Sequence, residues 1–414
     1  MDKKKVLTDR FVRYCKVKTP SNRASETVPS SECQFNLAHM LVEELKSLGL
    51  EDARVDDKCY VYASIPATKG YEDKLALGFI AHMDTVSDYT RGSIQPMVWP
   101  DYDGNDLTLP SGRVIRVKDF PHLPSLKGRT LITSDGNTVL GSDDKSGIAE
   151  IMTLVEMIQE SGLPHGKICV GFTPDEEIGR GSKHFDVKGF GADYAYTLDG
   201  GNEGSIEYEN FNAASAEFTI HGKGIHPGAA KGVLVNAALV AMHINDMLPG
   251  GAIPAQTSGY EGFYHLAEMK GDVEEAHLYY IVRDHDLEKY HQKLELLSYI
   301  EDTMKRTYGE DIVDLKIKES YRNMKEKIEP HFHLIENAIK ATKTAGLEPA
   351  IAPIRGGTDG ALLSFMGLPC PNLGTGGFAC HGPYEHNTAE GMEKMTEILY
   401  EIVKLYRDYD EKTA

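Results

Sequence analysis

The sequence predicts an α/β protein in which a mostly parallel sheet with helices on both faces is interrupted by a smaller β-α-β-β-α-β domain of ferredoxin-like order. Three observations carry this. In the first half of the 414 residues, short apolar runs of buried-strand type alternate with stretches of helical periodicity, the order that builds a parallel sheet covered by helices. From residue 211 to 325 the order changes to strand, helix, strand, strand, helix, strand, which can close as a unit of its own. After 325 the first pattern resumes. Residues 1–210 and 326–414 are therefore expected to form one discontinuous domain, and 211–325 a lid or assembly domain.

Each element has its own local reason. FNLAHMLVEELKSLGL sets apolar residues at helical spacing and ends at Gly49, a C-cap signal, and LALGFIAH is a short apolar run of the buried-strand kind. TRGSIQPMVWPDYDGNDLTLPSGRVIRV, rich in Gly, Pro and Asp, reads as an excursion of loops and short hairpins. GIAEIMTLVEMIQESG aligns Ile148, Ile151, Leu154, Val155 and Ile158 on one helical face, and KICVGFTP and DYAYTLDG read as strands. In the inserted domain AASAEFTIHG, GFYHLAEMKG, EEAHLYYIVRDH and DIVDLKIKES are strands, and VLVNAALVAMHINDML and LEKYHQKLELLSYIEDTMKRTYG are helices. The chain returns with HFHLIENAIKATKTAGL (helix), PAIAPI (strand), GALLSFMG (helix), PCPNLG (strand) and AEGMEKMTEILYEIVKLYRDY (helix).

Composition narrows the function classes. Hydrophobic residues at 41% and charged residues at 26% give an ordinary globular core. With 44 Lys plus Arg against 63 Asp plus Glu, the net charge of -19 disfavours a nucleic-acid partner. The basic start MDKKK is not followed by a signal-type apolar run, and no stretch approaches the roughly 18 apolar residues of a membrane span. The six Cys show no CxxC or metal-type spacing and read as reduced thiols. A cytoplasmic protein is expected.

Four acidic and histidine clusters follow predicted strands, where open α/β sheets bind ligands. They are His82 and Asp84 in FIAHMDTV, Asp143 and Asp144 in LGSDDKSG, Asp175, Glu176 and Glu177 in FTPDEEIGRGS, and Asp199 in YAYTLDGG with His381 in GTGGFACHGP. Each alone has an ordinary explanation: a structural histidine, a helix cap, a solvated acidic turn. Buried adjacent carboxylates, however, are costly unless a cation neutralises them. The combined nitrogen and oxygen donor set suits zinc-like divalent ions. HExxH, GxxxxGK[ST] and GxSxG are all missing from the sequence, which removes three competing hydrolase and nucleotide readings. GTGGFA fits a loose dinucleotide pattern, but the loop-like CHGPYEHN follows it where a helix should open.

The ordered series AHMDTV, GSDDKSG, TPDEEIGRG, LDGG, HGKGIHPGAAKG, RGGTDG and GTGGFACHGPYE resembles the M20 di-metal peptidases over about residues 78 to 390. The resemblance implies two zinc ions per subunit, with cobalt or manganese also accepted by such ligands. It assigns His82 and Asp199 to one ion, Glu177 and His381 to the other, and Asp143 to both. It makes Asp84 the carboxylate that orients His82, and Glu176 the general base. It further implies a homodimer formed through the lid domain, with His226 of that domain donating to the oxyanion in the partner subunit's site. Arg283 and Arg355 are candidates to clamp a peptide carboxylate, though each also fits a surface ion pair. Asn236 fits either support of the substrate backbone or packing inside a helix. The expected activity is removal of the N-terminal residue from tripeptides. Other reactions of the same chemistry, by a dipeptidase, a carboxypeptidase or an N-acyl-amino-acid amidohydrolase, are the alternative.

Overall fold

The computed structural model describes residues 2–89 and 92–409. Its larger unit comprises Met1–Tyr208, Glu326–Ala352 and Thr358–Ala414, and its smaller one Glu209–Lys325 and Pro353–Gly357. The segment Pro353–Gly357, read above with the discontinuous domain, thus belongs to the smaller unit. The reason is local bonding: the Ile354 N–H donates to the Glu209 carbonyl at 2.8 Å, and the Arg355 guanidinium lies 5.1 Å and 5.7 Å from the ring centres of Phe211 and Phe263.

The larger unit is built on an eight-stranded sheet. Its spatial order is Arg54–Val55, Val61–Ile65, Ile168–Thr173, Leu77–His82, Tyr194–Leu198, Asn372–Leu373, Ser205–Glu207 and Ala350–Ile351. The three long central strands run parallel, with Leu77 opposite both Ile168 and Tyr194, and His82 opposite Thr173. Their carboxyl ends therefore share one edge of the sheet. Side-chain alternation along these strands feeds both faces. On one face Phe79 stacks with Tyr196, ring centres 6.3 Å apart, and the Tyr196 hydroxyl donates to the Leu334 carbonyl in helix His333–Thr344. On the other, Ile80 and Ala195 join Phe185, Phe190 and Leu363 in a separate cluster. Gly78 points to that second face, where a β-carbon would lie 2.6 Å from the Phe190 ring. Helix Ser142–Ser161 packs on strand Leu77–His82 and against helices Lys3–Cys15 and Ala389–Asp408.

The Gly/Pro/Asp-rich excursion forms short pairings around a satellite core of Tyr102, Leu109, Ile115, Leu123, Leu126 and Leu131. Its first two residues, Thr90 and Arg91, lie outside the described residues. Strand Leu131–Thr133 pairs antiparallel with Met97–Trp99 on one side and, on the other, with His386–Thr388 from near the end of the chain. The predicted PAIAPI strand narrows to Ala350–Ile351.

In the smaller unit four antiparallel strands lie in the order Phe263–Gly271, Glu275–Asp284, Asn212–His221, Val313–Tyr321. Inward-facing Ala216, Phe218, Ile220, Leu278, Tyr280 and Val282 pack with Val240 and Ile244 of helix Ala237–Asp246 and with Leu297 and Ile300 of helix Leu287–Tyr308. The first of these helices starts later than the periodicity of VLVNAALV suggested. Asn236 is its N-cap, accepting from the Ala238 and Leu239 N–H groups at 3.0 and 3.3 Å, so the expectation of a helix-interior asparagine is corrected. Among the described residues, no helix is long and apolar enough to cross a membrane.

Candidate metal centre

The shared edge of the sheet explains how residues far apart in sequence meet. His82 ends one central strand, Asp199 follows the next, and Glu176 and Glu177 lie in a 3-10 turn just past the third. Asp143 sits in the first turn of Ser142–Ser161, entered through Gly141 at φ 77, where its own backbone is non-helical. His381 lies in a loop between Asn372–Leu373 and His386–Thr388, at φ 65.

These side chains converge as two groups that share one carboxylate. Asp143 Oδ1 lies 2.8 Å from His82 Nε2, and Asp143 Oδ2 lies 3.1 Å from His381 Nε2. Asp199 Oδ1 is 3.6 Å from His82 Nε2, and Glu177 Oε2 is 3.1 Å from His381 Nε2. His82, Asp143 and Asp199 offer ligand atoms within 4.8 Å of one another, and so do Asp143, Glu177 and His381.

The electrostatics call for positive charge at two points. Burial pushes the Glu177 carboxyl up to about 7, and burial together with the nearby Asp143 charge raises Asp199. Burial, then Asp199, lifts Glu176 well above the carboxylate range. Hydrogen bonds to Asp143 and Glu177 raise His381 to about 11, and Asp143, although buried, is held well below its usual range by the two imidazoles. A proton on each ring answers these acids, and a dication at each group answers them better. Two further observations fit metal ions. The His82 Nδ1 faces the Asp84 carbonyl oxygen at 3.1 Å, so in the neutral ring that donates there Nε2 turns a lone pair toward the Asp143 carboxylate. Among the described residues Glu177 Oε1 is buried with no hydrogen-bond partner, an arrangement that ordinarily signals a cation or water.

Neighbouring acids have separate tasks. The Asp84 carboxylate, 3.4 Å from His82 Nδ1, accepts from the backbone N–H groups of Glu176 and Glu177 at 2.9 and 3.2 Å. It thus ties the acidic turn to the strand that ends in His82. Asp144 is a cap, accepting from the His82 and Gly147 N–H groups at 3.1 and 3.3 Å. Asp175 points away from the acidic pair. It is fully buried and accepts from the Ser30 N–H at 2.6 Å, the Ser30 hydroxyl at 2.5 Å and the Gln34 amide at 2.7 Å.

His226, Asn236, Arg283 and Arg355 all belong to the smaller unit. His226 is exposed and accepts from the Gly228 N–H at 3.1 Å. Arg283 donates through Nη1 to the carbonyls of Ala214 and Val282 at 3.1 and 2.9 Å and lies over the Tyr321 ring. Arg355 donates to the carbonyls of Gly259, Glu261 and Thr257 and to the Thr257 hydroxyl. Its fork is occupied by the loop 257–261, and it is no simple surface ion pair.

Three residues escaped the sequence reading. Asp359, in RGGTDG, is buried and accepts from the Thr173 hydroxyl at 2.7 Å. It lines the same small cavity as His82, Glu176 and Asp199. Asn372 accepts from the Thr197 hydroxyl and donates to the Asp199 carbonyl and to Glu207. Glu385 accepts backbone bonds beside Asp143. The only sequence signal for them is their position within or beside motifs already noted for other residues.

A shared acid between two imidazole-containing groups, at the carboxyl edge of a largely parallel sheet, is the architecture of a dinuclear metallohydrolase. The profile of peptidase family M20/M25/M40 matches residues 139–405, and the chain belongs to that family. The Peptidase T of Geobacillus kaustophilus (strain HTA426) is 49% identical over 406 residues, 97% of this chain and 98% of that protein. A tripeptidase from Staphylococcus aureus subsp. aureus Mu50 superposes with a TM-score of 0.79 at 21% identity, covering 98% of this chain and 99% of that one. A dinuclear metal-binding peptidase of the M20 family from Bacillus subtilis superposes with a TM-score of 0.68 at 14% identity, covering 99% of both chains. These two structures share its fold.

Proposed function

We propose that the chain is a cytoplasmic di-metal aminopeptidase that hydrolyses the N-terminal peptide bond of tripeptides, with zinc as its metal and cobalt or manganese as competent substitutes. The observation that carries this reading is Asp143, whose two oxygens face the two imidazoles separately. The extensive likeness to a protein named Peptidase T supports the choice of substrate.

His82 and Asp199 would hold one ion, Glu177 and His381 the other, and Asp143 both. When bound, such a pair supplies Lewis acidity toward the scissile carbonyl and lowers the pKa of water. Glu176 acts as general base. It takes the proton from the attacking water and returns it to the departing amine nitrogen as the C–N bond breaks, a task worth roughly 10² to 10⁴ in rate. Its backbone is fixed by Asp84, so the carboxyl stands on the turn that also presents Glu177. Asp84 orients His82 through its carbonyl, with its carboxylate close behind.

The reading includes a homodimer formed through the smaller unit, in which the partner subunit's His226 donates to the oxyanion. Arg283 is the first candidate for the substrate carboxylate. Arg355 could serve only by exchanging its bonds to the loop 257–261. Asn236 supports substrate only through its amide nitrogen, since its oxygen caps a helix. Free thiols at all six cysteines are compatible with a reducing compartment.

The test is hydrolysis of Ala-Ala-Ala, Ala-Ala and N-acetyl-Ala-Ala-Ala before and after chelation. Metal-dependent cleavage favouring the free tripeptide is expected. Preference for the blocked peptide would defeat the aminopeptidase reading.

A further inference from the structure

The loop that carries His381 is a small closed structure. Phe378 and His386 exchange backbone hydrogen bonds at 2.8 and 3.0 Å across its base, and the Glu385 N–H donates to the Gly382 carbonyl at 3.2 Å. Next to the base, Glu385 is 1% exposed and turns its carboxylate toward the segment before helix Ser142–Ser161. Oε2 accepts from the Leu140 N–H at 2.6 Å and the Gly141 N–H at 2.8 Å, while Oε1 accepts from the Asp143 N–H at 3.0 Å. Three convergent backbone donors make a nest for one buried anion. At the tip of the same loop, His381 meets the Asp143 side chain at 3.1 Å.

The Asp143 backbone is thus held by Glu385 while its side chain is met by His381, four residues away on the same loop. We propose that Glu385 is a positioning residue, which sets the distance between the shared carboxylate and the imidazole of the second ligand group by clamping the backbone of residues 140–143. The inference rests on the di-metal reading above and extends it to a residue that would touch neither ion nor substrate.

The geometry explains why a carboxylate is needed. Glutamine keeps the size but offers one oxygen, so it can satisfy either the Leu140–Gly141 pair or the Asp143 N–H. Its NH₂ must then face a donor. Aspartate keeps both oxygens but is one methylene shorter, so it cannot reach both sets of donors from the same backbone position.

The experiment is equilibrium dialysis of the full-length protein against buffered Zn²⁺, with kinetics on Ala-Ala-Ala, for wild type, Glu385→Gln, Glu385→Asp and Glu203→Gln. The last removes a half-buried pairing with Arg129 in the same unit and reports what general destabilisation does. Wild type is expected to bind two ions. Glu385→Gln should weaken one of them by roughly 10- to 100-fold, the range seen when groups supporting metal ligands are removed. It should leave the other within about threefold, and kcat should fall with KM nearly constant; Glu385→Asp should lie between. Wild-type binding of both ions in Glu385→Gln and Glu385→Asp, or a loss matched by Glu203→Gln, would overturn the role of Glu385 while leaving the di-metal reading intact. A wild-type chain that binds no Zn²⁺ would overturn both. Should Glu385→Gln not fold, Glu385→Asp decides by the same measurements.

Discussion

The two adjacent glutamates show how one backbone turn separates two roles. Glu177 faces His381, whereas Glu176 lines the cavity with His82, Asp199 and Asp359. Replacing Glu176 with alanine should therefore leave two ions bound per chain and reduce kcat by at least about 10², the lower range for a general base. Metal analysis beside tripeptide turnover checks this, and parallel loss of metal would remove the role assigned to Glu176.

His386 supplies a residue-scale prediction about pH. Its Nδ1 donates to the Tyr384 carbonyl at 2.7 Å, so Nε2 is left to accept from His122 Nε2 at 2.8 Å. Burial, helped by the charge of His122, depresses its pKa to about 4 against an ordinary 6.5. The unfolded chain then binds the proton first as pH falls. The stability from neutral His386 is complete above about 6.5 and is lost progressively toward pH 4, on the order of 3 kcal/mol at most. Urea unfolding at pH 7 and pH 4.5 should show a smaller pH-dependent loss in His386→Gln than in wild type. Equal losses would mean that the native imidazole is not held neutral.

At the scale of elements, the site depends on three parallel strands ending level. Gly78 secures that layer by letting the Phe190 ring approach the backbone, where a β-carbon would sit at 2.6 Å. Gly78→Val should destabilise the larger unit by at least ~1–3 kcal/mol through overpacking, seen as a lower thermal midpoint, while Gly78→Ala should do less. The continuous apolar character that makes these strands recognisable was readable locally, since each is a short apolar run of fully buried residues. Helix ends were less so. Asn236 looked like a residue within VLVNAALV, yet its side chain bonds two N–H groups and starts the helix, because capping depends on the path of the preceding chain and hydrophobic periodicity does not record it.

Each of the two units packs around hydrophobic clusters of its own. Ligands that bind only the native larger unit should raise its unfolding temperature without altering the other. Saturation at about a thousand times Kd adds roughly 4 kcal/mol. Calorimetry with Zn²⁺ and after chelation is expected to show one metal-sensitive and one insensitive transition. A uniform shift of both would mean that the units unfold as one.

Sequence alone determined the alternation of elements, the extended interruption between the two stretches of the sheet unit, and the chemical types at the strand ends, because periodicity and turn chemistry act over a few neighbouring residues. It could also nominate His82, Asp143, Glu177, Asp199 and His381. Tertiary structure decided which acids meet an imidazole, which merely cap a turn, and why Asp175 serves the segment near Ser30. It also decided that Pro353–Gly357 packs with the smaller unit and that Glu385 grips the backbone beside Asp143. Those outcomes depend on strand register and on contacts between segments hundreds of residues apart, where side chains of the same type differ only in the direction their backbone points them.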